Sequence, residues 1–175
     1  MEFVRIPHER IAILLGGKGK SKKQVEKACE VKLRINEDGE VEIEGDTAHT
    51  YFAKDVVKAI GRGFPTKDAL RIINENYAFY LIDLDDYTKS DKAVTRIKGR
   101  VIGEKGKIKK EIESATESML SIYGDTIGII SKIDTMEYAK EAISMIVGGA
   151  QHSRVITYLA KVRREILGER LVGQR

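Results

Sequence analysis

Leu14-Leu15-Gly16-Gly17-Lys18-Gly19-Lys20-Ser21-Lys22-Lys23-Gln24-Val25-Glu26 aligns without a gap with Val101-Ile102-Gly103-Glu104-Lys105-Gly106-Lys107-Ile108-Lys109-Lys110-Glu111-Ile112-Glu113. Two apolar residues, a Gly-x-x-Gly, lysines at four matching places, an apolar residue and a glutamate recur in one order. So long a register marks an internal repeat. The match continues downstream, pairing Ala28 with Ala115, Glu30 with Glu117, Leu33 with Leu120 and Ile35 with Ile122. After a one-residue difference in the following turn, Val41 and Ile43 pair with Ile127 and Ile129.

Working outward from the first stretch, Phe3 to Ile6 suits a short strand, and Ile11, Leu14 and Leu15 recur at helical spacing. Gly16 stops that helix, and Gly19 opens a second one over Lys20 to Ala28. Val31, Leu33 and Ile35 alternate with Lys32 and Arg34, Asn36 to Gly39 reads as a turn, and Val41 and Ile43 alternate with Glu40, Glu42 and Glu44. This predicts an antiparallel hairpin with one buried face. Thr47 to Ile60 follows as a helix with Phe52, Val56 and Ile60 on one stripe. The second copy repeats the order: strand Ala78–Leu84, helix Asp91–Ile102, turn Gly103–Gly106, helix Lys107–Glu117, strands Met119–Tyr123 and Ile127–Ile130, helix Met136–Val147. Between the copies, Gly61-Arg62-Gly63-Phe64-Pro65 breaks the chain, and Thr66 to Asn74 is predicted as a connecting helix with Thr66 as its N-cap. His152 to Leu167 adds an extra helix with an apolar stripe of Val155, Leu159, Val162 and Ile166. Its Arg154, Lys161, Arg163, Arg164 and Arg170 offer a second basic face or a merely solvated one.

The expected class is therefore α+β. The predicted division is a first domain over 1–64, a connecting helix over 65–76, and a second domain with its helical extension over 77–175. A hydrophobic content of 42% with 33% charged residues argues against disorder, and no apolar run approaches a membrane span. A single cysteine, Cys29, excludes an intramolecular disulfide and a cysteine-built zinc site. A cytoplasmic protein without membrane contact is the expectation.

The net charge of +4 conceals its distribution. Residues 16–27 hold Lys18, Lys20, Lys22, Lys23 and Lys27 against Glu26 alone. Residues 100–110 hold Arg100, Lys105, Lys107, Lys109 and Lys110 against Glu104 alone. Each stretch nets +4, which leaves −4 for the rest of the chain. A glycine without Cβ lets a phosphate approach the backbone, and a helix N-terminus turns unsatisfied N–H groups and a positive dipole end toward it. Gly16, Gly17, Lys18 and Gly19 with Lys20, Lys22 and Lys23 form one predicted phosphate site. Gly103, Glu104, Lys105 and Gly106 with Arg100, Lys107, Lys109 and Lys110 form the other.

Strand-helix-Gly-x-x-Gly-helix-strand-strand-helix resembles the type I KH domain, a β-α-α-β-β-α module with a three-stranded antiparallel sheet and helices on one face. Its glycine loop clamps about four nucleotides of single-stranded nucleic acid. The resemblance covers most of the chain and implies two such domains in tandem plus the C-terminal helix. It further implies that the second strands line a base groove through Leu33 and Arg34 in one copy and Leu120 and Ser121 in the other. Core packing is the open alternative for the two leucines. Where KH domains usually place isoleucine, three residues past the second glycine, this chain has Lys22 and Lys109. With Gly61-Arg62-Gly63-Phe64, the Asp83–Tyr87 segment and the C-terminal helix, this resembles the archaeal and eukaryotic KH proteins of small-subunit ribosome assembly. That likeness implies binding near the 3′ end of small-subunit rRNA. It implies as partners the alpha subunit of initiation factor two, the rRNA dimethyladenosine transferase and the endonuclease that matures the rRNA 3′ end. The intact first glycine motif implies an archaeal member. Two further readings stay open, a regulatory KH protein acting on messenger RNA and an interaction scaffold with one RNA-active module.

Gly19-Lys20-Ser21 imitates the end of a nucleotide-binding P-loop, and Leu81-Ile82-Asp83 its acidic strand. However, the first glycine of that motif would fall on Leu14, inside a predicted helix. His8, His49 and His152 lack the spacing of a helical metal pair, and Asp83, Asp85 and Asp86 read as a solvated loop. Neither enzyme, metal nor cofactor is expected.

Overall fold

In the computed structural model, which describes Met1–Gly173, the elements run β1 (Glu2–Arg5), α1 (His8–Leu15), α2 (Lys20–Cys29), β2 (Lys32–Ile35), β3 (Glu40–Glu44), α3 (Thr47–Gly61) and α4 (Thr66–Ala69). They continue as β4 (Tyr77–Asp83), α5 (Asp91–Ile102), α6 (Lys107–Thr116), β5 (Met119–Tyr123), β6 (Thr126–Lys132), α7 (Ile133–Val147) and α8 (His152–Gly173). The chain forms two compact units, Met1–Phe79 and Tyr80 onward.

In the first unit the strand order is β1-β3-β2, both neighbours antiparallel to β3. The alternation read from the sequence sets its faces: Val4, Leu33, Val41 and Ile43 are buried, while Lys32, Arg34, Glu40 and Glu44 face solvent. The helices close over the apolar face through Leu14, Val25, Cys29, Val56, Val57 and Ile60. Phe52, expected on that stripe, is only half-buried, because Ala53 turns into the core in its place. The second unit repeats the order as β4-β6-β5. There β6 is buried on both faces, unlike its counterpart β3.

Thr66 does not cap the connecting helix. Pro65 holds the N-cap position without a side-chain bond, and the Thr66 hydroxyl instead lies 2.6 Å from the Ser21 hydroxyl, tying α4 to α2. Nor does that helix run unbroken to Asn74; it tightens into a 3₁₀ turn over Leu70–Ile73. Counted through the repeat, α4 begins where α8 begins, Thr66 matching His152. Thus α8 is the full-length form of an element that the first unit carries for two turns. Val155, Leu159, Val162 and Ile166 are all buried along it. Arg163 pairs with Glu111 at 2.6 Å and Arg170 with Glu117, clamping α8 onto α6.

Candidate nucleic-acid interface

Both glycine loops take one backbone conformation. Gly16 and Gly103 end their helices at φ 68°, ψ 172° and φ 72°, ψ 178°, a region that is essentially glycine-only. A Cβ at Gly16 would stand 2.6 Å from the Ser21 Cβ, and one at Gly103 would stand 2.5 Å from the Ile108 Cγ1. Gly19 and Gly106 are left-handed at φ 73° and 74°, with open space where a Cβ would stand. Between them Lys18 and Lys105 are themselves left-handed, at φ 54° and 52°. Such a conformation is uncommon for a lysine and appears here at the same place twice. It holds both side chains exposed at the loop tip.

The next helices start without a side-chain cap: Gly19 and Gly106 supply none, whereas Asp46 caps α3 and Ser90 caps α5. The Lys20 and Lys107 N–H groups bond back to the Gly17 and Glu104 carbonyls, but no side chain caps either helix start, and Lys20, Lys23, Lys107 and Lys110 project beside it into solvent. This arrangement can hold anions. The P-loop reading fails on geometry, since α1, a helix, leads into Gly16 where a strand is required. Asp83 caps the turn after β4 by accepting the Asp85 N–H at 3.0 Å. Among the described residues, no three His, Cys, Asp or Glu side chains converge as a metal site, and no helix is long and apolar enough to cross a membrane.

Other residues named from the sequence have different surroundings. Arg100 turns away from the loop: its guanidinium donates to the Ile146 carbonyl at 2.8 Å and to that of Ala150, closing the end of α7. Arg10, which carried no signal in the repeat, does the same in the first unit, donating to Ile60 and Phe64 carbonyls at 2.8 and 3.0 Å. The accepting carbonyls are equivalent; the arginines sit one helical turn apart in register, so the alignment hid their common role. Leu33 and Leu120 are 1% and 4% exposed, and point into the core. Arg34 lies on the opposite face of β2, 3.5 Å from Glu42 and 3.4 Å from Glu44. Ser121 alternates with Leu120 in the same way and is half-buried.

The paired glutamates have a role that the sequence did not disclose. Glu26 accepts the Leu33 N–H at 2.9 Å, and Glu113 accepts the Leu120 N–H at 2.8 Å. Each carboxylate thus satisfies a backbone donor on the outer edge of β2 or β5, tying the second helix to the edge strand. Lys22 and Lys109 pair with these same carboxylates at 3.7 and 3.8 Å. The lysine that stands where isoleucine is usual is half-buried, and it holds the glutamate that holds the strand.

Residues 78–164 match a family model described as the eukaryotic type KH domain, KH-domain type I. A KH domain-containing protein of Methanocaldococcus jannaschii is 40% identical over 171 residues, covering 95% of this chain and 75% of that one. The pre-rRNA-processing protein PNO1 of Chaetomium thermophilum is 31% identical over 108 residues, 60% of this chain and 42% of that longer protein. The Dim2p chain in the a/eIF2alpha–Dim2p–rRNA complex from Pyrococcus horikoshii superposes with a TM-score of 0.87 at 38% identity, over 94% of each chain. Repeated glycine loops, uncapped helices and near full-length likeness converge: the chain belongs to the PNO1/Dim2-like family of KH-domain proteins.

Proposed function

We propose that this chain is a non-catalytic ribosome-assembly factor of the cytoplasm. Two type I KH modules in tandem, over 1–64 and 77–175 with 65–76 between them, hold single-stranded small-subunit rRNA near its 3′ end. The phosphates lie against Gly16–Gly19 and Gly103–Gly106, where a helix N-terminus without a side-chain cap and its dipole meet Lys18, Lys20, Lys105 and Lys107. The bases extend over the surface between each loop and the edge strand. Their neighbours there are the exposed Leu15 and Ile102, which precede the glycines at equivalent places. The repeated loop conformation is the observation that carries this reading. It is strengthened by likeness to a Dim2p chain seen in complex with a/eIF2alpha and rRNA, and to relatives named for pre-rRNA processing. The alpha subunit of initiation factor two is the proposed protein partner, with the rRNA dimethyladenosine transferase and the 3′-end endonuclease as proposed associates in the pre-ribosome.

Ultraviolet crosslinking of the protein to RNA in cells, followed by sequencing, tests the assignment. Enrichment of small-subunit rRNA at its 3′ end is the expected result. Enrichment of messenger RNA, with no excess of rRNA, would overturn it.

A further inference from the structure

The glycine loops continue onto a second surface, the outer face of the following helix. In the first unit an open groove is lined by Gly17, Lys18, Lys20, Lys23, Gln24 and Lys27. In the second unit a groove occupies the equivalent positions, but Glu104, Glu111 and Ser114 stand where the first has Gly17, Gln24 and Lys27, and Arg163 of α8 closes its far end. There Arg163 pairs with Glu111 and also bonds the Ser114 hydroxyl at 3.2 Å. Because α8 covers this stretch of α6, Ala115 is 2% exposed, whereas its counterpart Ala28 lies open to solvent. The first unit's α4 and its 3₁₀ turn end at Ile73, so the far half of α2 keeps no such cover. Among the described residues, no carboxylate pairs with Lys18, Lys20, Lys23 or Lys27. One copy of this face sets two carboxylates against its four cations and is capped by its own chain; the other has four lysines with no carboxylate and is bare.

We infer that the outer face of α2 binds the phosphate backbone of an RNA duplex flanking the single strand held at the Gly16–Gly19 loop. Lys20, Lys23 and Lys27 fall at i, i+3 and i+7, one above another along about 10 Å of helix. Unpaired bases need aromatic or apolar platforms to stack on, and the groove has none. A duplex turns its bases inward and presents phosphates and 2′-hydroxyls, the chemistry that lysines and Gln24 can meet. Continuity with the loop favours RNA over an acidic protein, because Gly17 and Lys18 of the loop themselves line this groove.

The inference rests on the loop reading, so its test uses two RNAs: a single strand, and a hairpin carrying that strand as its tail. The variant Gln24→Glu with Lys27→Ser gives α2 the residues of α6 at both positions and leaves the glycine loop untouched. The wild type is expected to bind the hairpin more tightly than the single strand. The variant should lose roughly three- to tenfold on the hairpin, with a salt slope shallower by about 0.9, and nothing on the single strand, which also reports that it is folded. Equal wild-type affinity for both RNAs, or an equal effect of the variant on both, would overturn the inference while leaving the loop site intact. No wild-type binding to the single strand would overturn the loop reading and the inference together. Unchanged hairpin binding with loss of poly-glutamate binding would assign the face to an acidic protein instead.

Discussion

A methyl group at Gly16 would stand 2.7 Å from the Ser21 amide nitrogen, in a backbone that non-glycine residues scarcely enter, whereas one at Gly19 would meet nothing within 4 Å. Gly16→Ala and Gly103→Ala should therefore lose about 3 kcal/mol of stability. Gly19→Ala and Gly106→Ala should lose only about 1 kcal/mol, the cost of a left-handed residue, while crowding the phosphate approach. Urea titration of the four variants checks the ordering. Arg100 invites a similar separation. Arg100→Ala should cost about 2 kcal/mol by removing two charge-assisted hydrogen bonds, yet leave the salt slope of RNA binding unchanged. Lys105→Asp should do the reverse. Cys29, 3% exposed, has its thiol pushed up by burial from 9.0 to about 11. The folded state thus favours the neutral thiol, so this contribution to stability is complete below pH 9 and disappears as pH rises through about 11. At pH 8 a thiol reagent should label Cys29 only as fast as the protein opens; rapid labelling of the native protein would contradict its burial.

At the scale of elements, the tie between second helix and edge strand sets the shape of each unit's proposed RNA-facing side. Glu26→Ala or Glu113→Ala leaves a strand N–H without its acceptor and should cost about 1–3 kcal/mol. Lys22→Met or Lys109→Met, which removes only a partly exposed ion pair, should cost less than about 1 kcal/mol. Denaturant unfolding of the four variants distinguishes the two roles; equal costs would mean that the lysine, not the hydrogen bond, holds the strand. Element order was legible because glycines, alternation and helical stripes are local signals. The helix expected over Lys107–Glu117, which ends at Thr116, and the strand Met119–Tyr123 needed no tertiary information. The glutamate contacts were not legible, since Glu26 and Leu33 are seven residues apart and meet only after the chain turns from helix to strand. Thr66 misled for a similar reason: its hydroxyl is a sound N-cap by type, but Ser21 competes for it across the fold. The kinship of α4 with α8 was masked because the residues that cover α6 lie in the turns that α4 lacks.

At the scale of the whole molecule, the repeat and its charge carried most of the candidate site. The loops, their lysines and their helix N-termini were visible because the proposed phosphate clamp is built from contiguous residues. What needed the fold was the sorting of cations. Lys22, Lys109, Arg34 and Arg100 are each engaged within the protein, while Lys18, Lys20, Lys105 and Lys107 stand free of carboxylates among the described residues. Formal charge counts both kinds alike. The most direct test is fluorescence titration of single-stranded RNA across a salt series with the wild type, Lys18→Asp, Lys105→Asp and the double variant. The double variant should bind more weakly than either single one, with a slope of log affinity against log salt shallower by about 0.7 for each phosphate that the variant no longer neutralises. Unchanged affinity and slope in all three variants would contradict RNA binding through the glycine loops.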